Sequence, residues 1–461
     1  MKKTYRLITT CAVCCAVCAA TVAITSCSFE QEDYFDENAS LRVTHLNESL
    51  QDRLVAQSDT TQQKYGWLIQ YFVAGTDEAN YEGFNIFARF YKSGKVTMAS
   101  NHRYLRNGQA NKYTEHDSFY EMLAEEGPVL SFNTWNDILT VLVDPVSPGS
   151  APTSIVADGE GMNGDHNLVL TKYDENSITF RGERHGAEVR FIPCDRPWKE
   201  YMEAVEKTKS DITSSYINSY YVTNNFDKEE RDTMYFVGLS KGYFSYCDRI
   251  VDPLVNLDLS CVFTPKGFRL GSVFHLEESI FREFTIDADS TCLISENDSI
   301  RVIPCWDNYI INNRNTVWNF DVNQMNEQQQ QLFEQLGQEF KKANKNYTLA
   351  QVGLGRSSGS GAVRGLVFTF YTNAAKSKTN TAGLALTTVR PAFGQMRIEC
   401  SDEDKADKNL TTIAAKTEAE QLARQLAQSL AGTYDIIPDS HFHPTSCTLK
   451  AVNGTAELTI K

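Results

Sequence analysis

Positive charge is what this 461-residue chain is shortest of: 44 lysines and arginines stand against 59 aspartates and glutamates, a formal net charge of −15 at neutral pH. An acidic surface repels phosphate backbones, which argues against nucleic acid as a partner, and the surplus favours solubility without saying much about fold. Histidine is also scarce. The eight histidines form no HExxH, which removes the helical zinc-hydrolase signature. After residue 26 no two cysteines stand at CxxC spacing, so a paired-thiolate metal or redox site has no local signature either.

What is present begins at the N-terminus. Lys2, Lys3 and Arg6 precede an apolar run from Leu7 to Ile24, and Ile24-Thr25-Ser26-Cys27 closes it. A short apolar segment with a basic flank and a processing site reads as an export signal, here of the lipoprotein kind, rather than as a spanning helix. The mature chain is expected to begin at Cys27, carrying acyl chains as its lipid attachment. Cys11, Cys14, Cys15 and Cys18 lie inside the removed segment, and their CxxCC spacing therefore has no metal meaning. Removing that segment leaves 435 residues and a net charge of −18. Glu30, Glu32, Asp33, Asp36 and Glu37 crowd behind Cys27 and resemble the acidic tags of surface-exported lipoproteins; a merely solvated tether reads equally well.

Seven cysteines remain besides Cys27: Cys194, Cys247, Cys261, Cys292, Cys305, Cys400 and Cys447. Their odd number and strand-like settings favour buried thiols, since a chain of this length can build a core without staples. Two of them end an internal repeat, in which Val189-Arg190-Phe191-Ile192-Pro193-Cys194 is matched by Ile300-Arg301-Val302-Ile303-Pro304-Cys305. Met396-Arg397-Ile398-Glu399-Cys400 is a weaker echo. Such domain-sized intervals imply two to three related modules.

The text of these modules is strand-rich. Trp67–Val73, Phe84–Tyr91, Val96–Ala99, Leu168–Tyr173, Ile178–Arg184 and Ala187–Ile192 read as strands joined by tight turns, and such short links require antiparallel pairing. Strands are expected again through Met234–Leu239, Tyr243–Tyr246, Asp258–Phe263, Gly267–Gly271 and Phe281–Ile286, and later through Tyr347–Gly353, Gly365–Tyr371 and Leu384–Val389. Helices are expected near Leu41–Ala56, at Pro197–Lys209 with Asp195 as cap, at Met325–Ala343, and at Thr417–Ala431 opened by a Thr417-x-x-Glu420 capping box. Asn453-Gly454 signals a closing hairpin. The fold class is α+β: antiparallel β modules with intervening helices. The expected organisation is a signal peptide (1–26), a tether and N-terminal helix (27–60), a first β module with its helix (61–210), a second related one (211–345) and a third α+β module (346–461).

Three phrases carry a family resemblance. Gly127-Pro128-Val129-Leu130-Ser131-Phe132-Asn133-Thr134-Trp135-Asn136 leading to Asp144-Pro145, Gly66-Trp67 entering an aromatic strand, and Phe263-Thr264-Pro265-Lys266-Gly267-Phe268-Arg269-Leu270 resemble hallmarks of domain-of-unknown-function family 4302. The resemblance implies an outer-membrane lipoprotein accompanying SusC/SusD-type importers of glycans or peptides. It implies no reaction, catalytic residue or cofactor.

Enzyme signatures are weak. Gly355-Arg356-Ser357-Ser358-Gly359 fits GxSxG, but a strand-like run follows where a nucleophile elbow needs a helix, so it reads as a hairpin loop. His441 and His443 share a face if that segment is a strand, yet two histidines need a further ligand, and the segment reads equally as a loop. Asp158, Glu160, Asn163 and Asp165 offer oxygens on a glycine-rich backbone without EF-hand spacing, and solvated turns are the plainer reading. Glu125-Glu126 are too ordinary in an acidic chain to nominate a glycosidase pair. Of the five tryptophans, Trp135 in its Asn-Thr-Trp-Asn setting is the candidate ligand contact, whereas Trp67 and Trp198 read as core. Asp59-Thr60-Thr61, Asp232-Thr233-Met234, Asp289-Ser290-Thr291 and Asp298-Ser299-Ile300 resemble O-glycosylation acceptors of exported proteins. No catalytic, metal or cofactor site is expected. The leading expectation is a non-enzymatic, surface-exposed outer-membrane lipoprotein that binds a glycan or peptide or docks on a SusC/SusD-like importer; a hydrolase with dispersed residues and a structural envelope protein are the alternatives.

Overall fold

The computed structural model describes residues 37–74, 82–125, 127–144, 162–213, 217, 220–223, 235–240, 243–247, 256–276, 279–312 and 316–461. The signal peptide, Cys27, the acidic residues before Glu37, Glu126, Asp158, Glu160 and the Asp232 triplet lie outside the described residues. Among the described residues no helix is long and apolar enough to cross a membrane.

Helix α1 (Ala39–Gln57) starts where Asn38 accepts the Leu41 amide at 2.9 Å, a side-chain cap for an otherwise unpaired donor. Nine strands follow: β1 (Trp67–Phe72), β2 (Phe84–Phe90), β3 (Lys95–Ser100), β4 (Thr114–Phe119), β5 (Glu121–Ala124), β6 (Pro128–Ser131), β7 (Asn167–Tyr173), β8 (Ile178–Gly182) and β9 (Glu188–Pro193), with the short helix α2 (Thr140–Val143) before β7. They make one antiparallel sheet in the order β4-β3-β2-β1-β9-β8-β7-β6-β5. Its outermost strands are consecutive in the chain, with only Tyr120 between them, so the sheet curls until its edges converge there. Strand alternation sorts its residues: Trp67, Ile69 and Tyr71 share a core with Leu50 and Leu54 of α1, while Leu68 and Phe87 face the other way. Trp67 also donates from Nε1 to the Leu54 carbonyl at 3.0 Å, so the largest buried ring leaves no orphan donor.

That outer face is covered by helix α3 (Trp198–Ile212), whose Tyr201, Met202 and Val205 pack with Leu68 and Phe87 and with Cys261 and Phe263 beyond. The latter belong to a closed barrel of β10 (Tyr220–Thr223), β11 (Tyr235–Ser240), β12 (Tyr243–Cys247), β13 (Asn256–Thr264), β14 (Gly267–Leu276), β15 (Ser279–Ile286), β16 (Leu293–Ser295) and β17 (Arg301–Pro304). Closure removes the free edges that would otherwise template pairing with other chains.

The sequence repeat has a topological meaning. Its first copy is β9, which returns to pair with β1 so that Pro193 lies opposite Trp67; its second is β17, which returns to β10 so that Pro304 lies opposite Tyr220. In each case a cysteine follows and a helix begins with tryptophan, Trp198 or Trp306. The Cys400 echo sits elsewhere, just beyond a strand flanked on both sides within a five-stranded sheet.

The remaining chain forms α4 (Trp306–Asn312), β18 (Trp318–Asn319), α5 (Glu327–Ala343), β19 (Thr348–Arg356), β20 (Arg364–Tyr371), β21 (Thr379–Ala385), β22 (Thr387–Val389), β23 (Gln395–Glu399), α6 (Lys408–Ala414), α7 (Ala419–Leu430), β24 (Gly432–Pro438), β25 (Cys447–Ala451) and β26 (Glu457–Ile460). Strands β18 to β21 form one antiparallel sheet and β22 to β26 another. Chain adjacency grouped α5 with the second module, but its Leu332, Leu336 and Phe340 share a core with Val352, Leu366 and Phe368 of β19 and β20. A capping box does open α5, formed by Asn326 and Gln329.

The fold is α+β with several antiparallel sheets and seven helices among the described residues. Three local expectations fail for identifiable reasons. Asp195 does not cap α3, because its carboxylate pairs with Arg196 and Pro197 holds the cap position. The Thr417/Glu420 box does not form: Thr417 donates to the Ile413 carbonyl from the turn after α6, and Glu420 pairs with Arg424 inside α7. Asn453-Gly454 lies within a five-residue connection between β25 and β26, longer than the two-residue turn the dipeptide favours.

Candidate functional site

The curled sheet and the barrel meet along β1, β7 and β9 on one side and β14 and β15 on the other, and a cleft of about 510 Å³ opens between them. Phe72, at the end of β1, forms part of its wall and is only 6 % exposed. Its ring fits because two glycines leave room: a Cβ on Gly83 would stand 2.5 Å from Phe72 Cε1, and one on Gly271 would stand 2.7 Å from Phe72 Cδ1. Two strand irregularities open on the same cleft. The β7/β8 register shifts between Leu170 and Lys172, and the β14/β15 register between Arg269 and Phe274; Lys172 on one side and Gly271 and Val273 on the other line the opening. Bulges bend a strand and re-aim its side chains, which is the effect here.

The cleft is lined by three guanidinium groups and a lysine set against four carboxylates. Arg190 of β9 and Arg269 of β14 both donate to Glu283 Oε1 of β15, each at 2.7 Å. Arg282 donates to Glu188 Oε2 and to the Gly271 carbonyl, both at 2.7 Å, and so satisfies the oxygen that the β14 bulge releases. Glu296 holds the backbone amides of Arg282 and Glu283. Burial, with Arg190 alongside, pulls Arg269 down to about 10, so it stays charged at neutral pH. Around these pairs Val273 and Ile280 are exposed apolar side chains. Fixed charges beside apolar surface can bind and orient a polar ligand. The guanidinium groups themselves bind and orient rather than shuttle protons, because a guanidinium does not exchange its proton near neutral pH.

A family model described as a domain of unknown function (DUF4302) matches residues 31–288, more than half of the chain. The chain belongs to the DUF4302 family. The family match spans α1, the whole curled sheet, α3 and the barrel through β15, and so includes both walls of the cleft apart from Glu296. No curated protein sequence matches this family member.

A second, smaller cleft of about 270 Å³ lies where β2 and β3 approach α3 and β13. Burial raises the Glu82 carboxyl above its usual range despite Arg103 Nε at 2.8 Å. Burial also lowers His102 to about 4, so the ring is neutral; Nε2 donates to the Ile138 carbonyl at 2.9 Å and buried Nδ1 has no partner. Cys261 borders the same cleft, but burial and the neighbouring Glu82 push its thiol up, away from the thiolate a nucleophile requires.

The residues singled out from the sequence fall outside both clefts. Trp135 is 49 % exposed in the turn before α2; its Nε1 donates to Asp137 Oδ1, and the Arg106 guanidinium lies 5.2 Å from its ring. The GxSxG segment is a strand, loop and strand, with Ser357 buried and accepting the Val363 amide, as a hairpin loop requires. His441 and His443 lie in the loop between β24 and β25 and diverge: His441 meets the Trp306 ring edge-on, and His443 Nε2 donates to the Asp211 carbonyl at 2.8 Å. Between them Phe442 is buried in the core that α3 shares with the barrel. Asp165 accepts the amides of Arg184, His185 and Ala187, so its carboxylate anchors the β8–β9 turn. Among the described cysteines six are free, five of them buried; Cys247 has no described side chain. Among the described residues no group of three or more metal-ligating side chains converges.

Sequence reasoning missed the cleft residues, although two signals touched them. Arg190 is the second residue of the repeated hexapeptide, and Arg269 stands in the Phe263–Leu270 phrase that carried the family resemblance. A charged residue inside an otherwise apolar strand motif was the available clue.

Proposed function

We propose that this DUF4302 protein is a non-enzymatic lipoprotein, tethered through Cys27 to the outer membrane and exposed at the cell surface, that binds a nutrient ligand for a SusC/SusD-type importer. The observation that carries the ligand-binding part is the 510 Å³ cleft, in which permanently charged guanidinium groups and carboxylates sit beside exposed apolar side chains. A glycan or a short peptide presents the hydroxyl, carboxylate or amide groups such a lining recognises. Support for the tether and the importer comes from the N-terminal sequence and from family resemblance.

The test has two parts. Tagged, lipidated protein recovered from native membranes should bring down a SusC-like importer and its SusD-like partner, and Cys27→Ala should abolish that recovery. A panel of oligosaccharides and peptides should yield a binder whose affinity falls when the cleft is altered. Recovery of lipid alone removes the importer from the proposal, and a panel with no binder removes the ligand.

The second reading is hydrolysis of a glycan or peptide at the smaller cleft, favoured by the displaced Glu82 and His102. It requires turnover that Glu82→Gln eliminates.

A further inference from the structure

The guanidinium groups of the larger cleft have fewer acceptors than they can use. A guanidinium carries five N–H donors and accepts nothing. Arg190 and Arg269 share a single oxygen, Glu283 Oε1, so two cations are held by one carboxylate. Arg282 engages Glu188 and the Gly271 carbonyl through one nitrogen. The Nε–H groups of Arg269 and Arg282 are both buried with no acceptor, and Arg269 as a whole is only 8 % exposed. A cation this deeply placed is normally fully paired, because leaving its donors unmatched forfeits the hydration they had in water.

The other groups describe the rest of the ligand. Glu188 and Glu283 each use one oxygen in these pairs and retain a second that can accept from hydroxyl groups. Val273 and Ile280, 46 % and 55 % exposed, offer an apolar rim on which the C–H face of a pyranose ring can lie. Donors in excess around Arg269, acceptors for hydroxyls beside them and an apolar rim together describe one kind of molecule.

We propose that the cleft takes an acidic oligosaccharide, with a uronate carboxylate lying against the guanidinium groups of Arg269 and Arg282 and ring hydroxyls donating to Glu188 and Glu283. A planar carboxylate matches the guanidinium fork in two-point contact. In the inner group Arg190 and Arg269 share one oxygen of Glu283, and although the lining as a whole balances four cations with four carboxylates, the unmatched donors are local to Arg269 and Arg282. Elsewhere Lys172 pairs with Asp174 at 2.7 Å, so recognition acts at short range and discriminates by the acid group rather than by a broad positive field. This inference rests on the cleft being the ligand site.

The experiment is calorimetry on the detergent-solubilised full chain with trisaccharides of galacturonate, glucuronate and mannuronate, matched neutral trisaccharides, and an acidic tripeptide. At least one uronide is expected to bind, with Arg269→Gln weakening it about tenfold or more, the size of a lost charge-assisted hydrogen bond. Because Arg269 is buried, Val273→Asp serves as the second variant: it sits on the exposed rim, spares the fold and sets a negative charge beside the ligand acid. Both sugars lose the apolar contact of Val273 but only the uronide also meets the new charge, so the uronide should weaken about tenfold more than the neutral sugar, while thermal melts stay unchanged. Equal binding of acidic and neutral sugars, both lowered by a rim variant, overturns the acid preference and leaves the cleft as a sugar site. Binding of the peptide alone overturns the sugar. Uronide binding indifferent to both variants, or binding of no probe, overturns the inference together with the assignment of the cleft as the ligand site.

Discussion

The two copies of the repeated hexapeptide close their units alike and then diverge. After Cys194 the first acid is Asp195, largely exposed and paired with its own neighbour Arg196 at 2.9 Å. After Cys305 the first acid is Asp307, fully buried, 2.7 Å from Arg390 Nε and accepting the amides of Asn308 and Gly394. Arg390 and Gly394 belong to the connection between β22 and β23, so the second copy both closes the barrel and fastens it to the C-terminal sheets. The motif itself specifies closure, and the residues after it decide whether the unit is also bolted to the next. Arg390 also lies 4.8 Å over the ring of Tyr221, a barrel residue, which makes the same junction partly aromatic.

The strongest way to break this comparison is Asp307→Ala. It leaves Arg390 with its charge uncompensated and two amides without an acceptor, and should lower unfolding free energy by about 3–5 kcal/mol in denaturant melts. A loss below about 1 kcal/mol would mean that the two copies are energetically alike. The next effect belongs to the first unit and is read by pH. His102 is held at about 4 when folded and returns to about 6.5 when unfolded, both forms being neutral above that range. As pH falls from 6.5 to 4 the unfolded chain takes up a proton that the folded one refuses. Stability should therefore drop by about 3 kcal/mol over that window and hold steady above it, as far as this group is concerned. His102→Gln should flatten that slope, and hydrogen exchange should show β2 and β3 opening before β19 to β21 as acid is added. An acid slope unchanged by the substitution sinks the assignment to His102. The smallest effects sharpen the comparison from below: Asp195→Ala and Trp135→Ala, both at exposed positions, should each shift stability by no more than about 0.5 kcal/mol.

How much of this was legible in the sequence follows the physics of each element. Strands β1, β2 and β9 were readable because Trp67-Leu68-Ile69 is a continuous apolar run and Phe84–Phe90 is apolar or aromatic at every position but Asn85 and Arg89, as strands between two packed layers tend to be. Strand β4 was missed since Thr-Glu-His-Asp-Ser-Phe is an edge strand, with charges where a central strand would carry apolar residues. The caps failed where a tertiary partner competed, as Arg196 does for Asp195 and Arg424 for Glu420. The cleft was invisible for a different reason. Arg190 and Glu283 lie 93 positions apart, and nothing local to either announces that β9 and β15 will face each other. Trp135 has the exposure that its loop setting implies, but it lies in a turn outside both clefts. The repeat was the one long-range signal in the sequence; it was read as a sign of related modules, and in the fold its two copies are the strands that return to pair with β1 and β10.

That returning strand governs the order in which the molecule can come together. Pairing of Trp67 with Pro193 joins positions more than a hundred residues apart, and β1 has no partner on that side until β9 has been synthesised. Such non-local closure slows folding, since a long loop must be ordered before the pairing rewards it. The first unit therefore stays open along one side of β1 until its last strand is available, whatever local hairpins form before it.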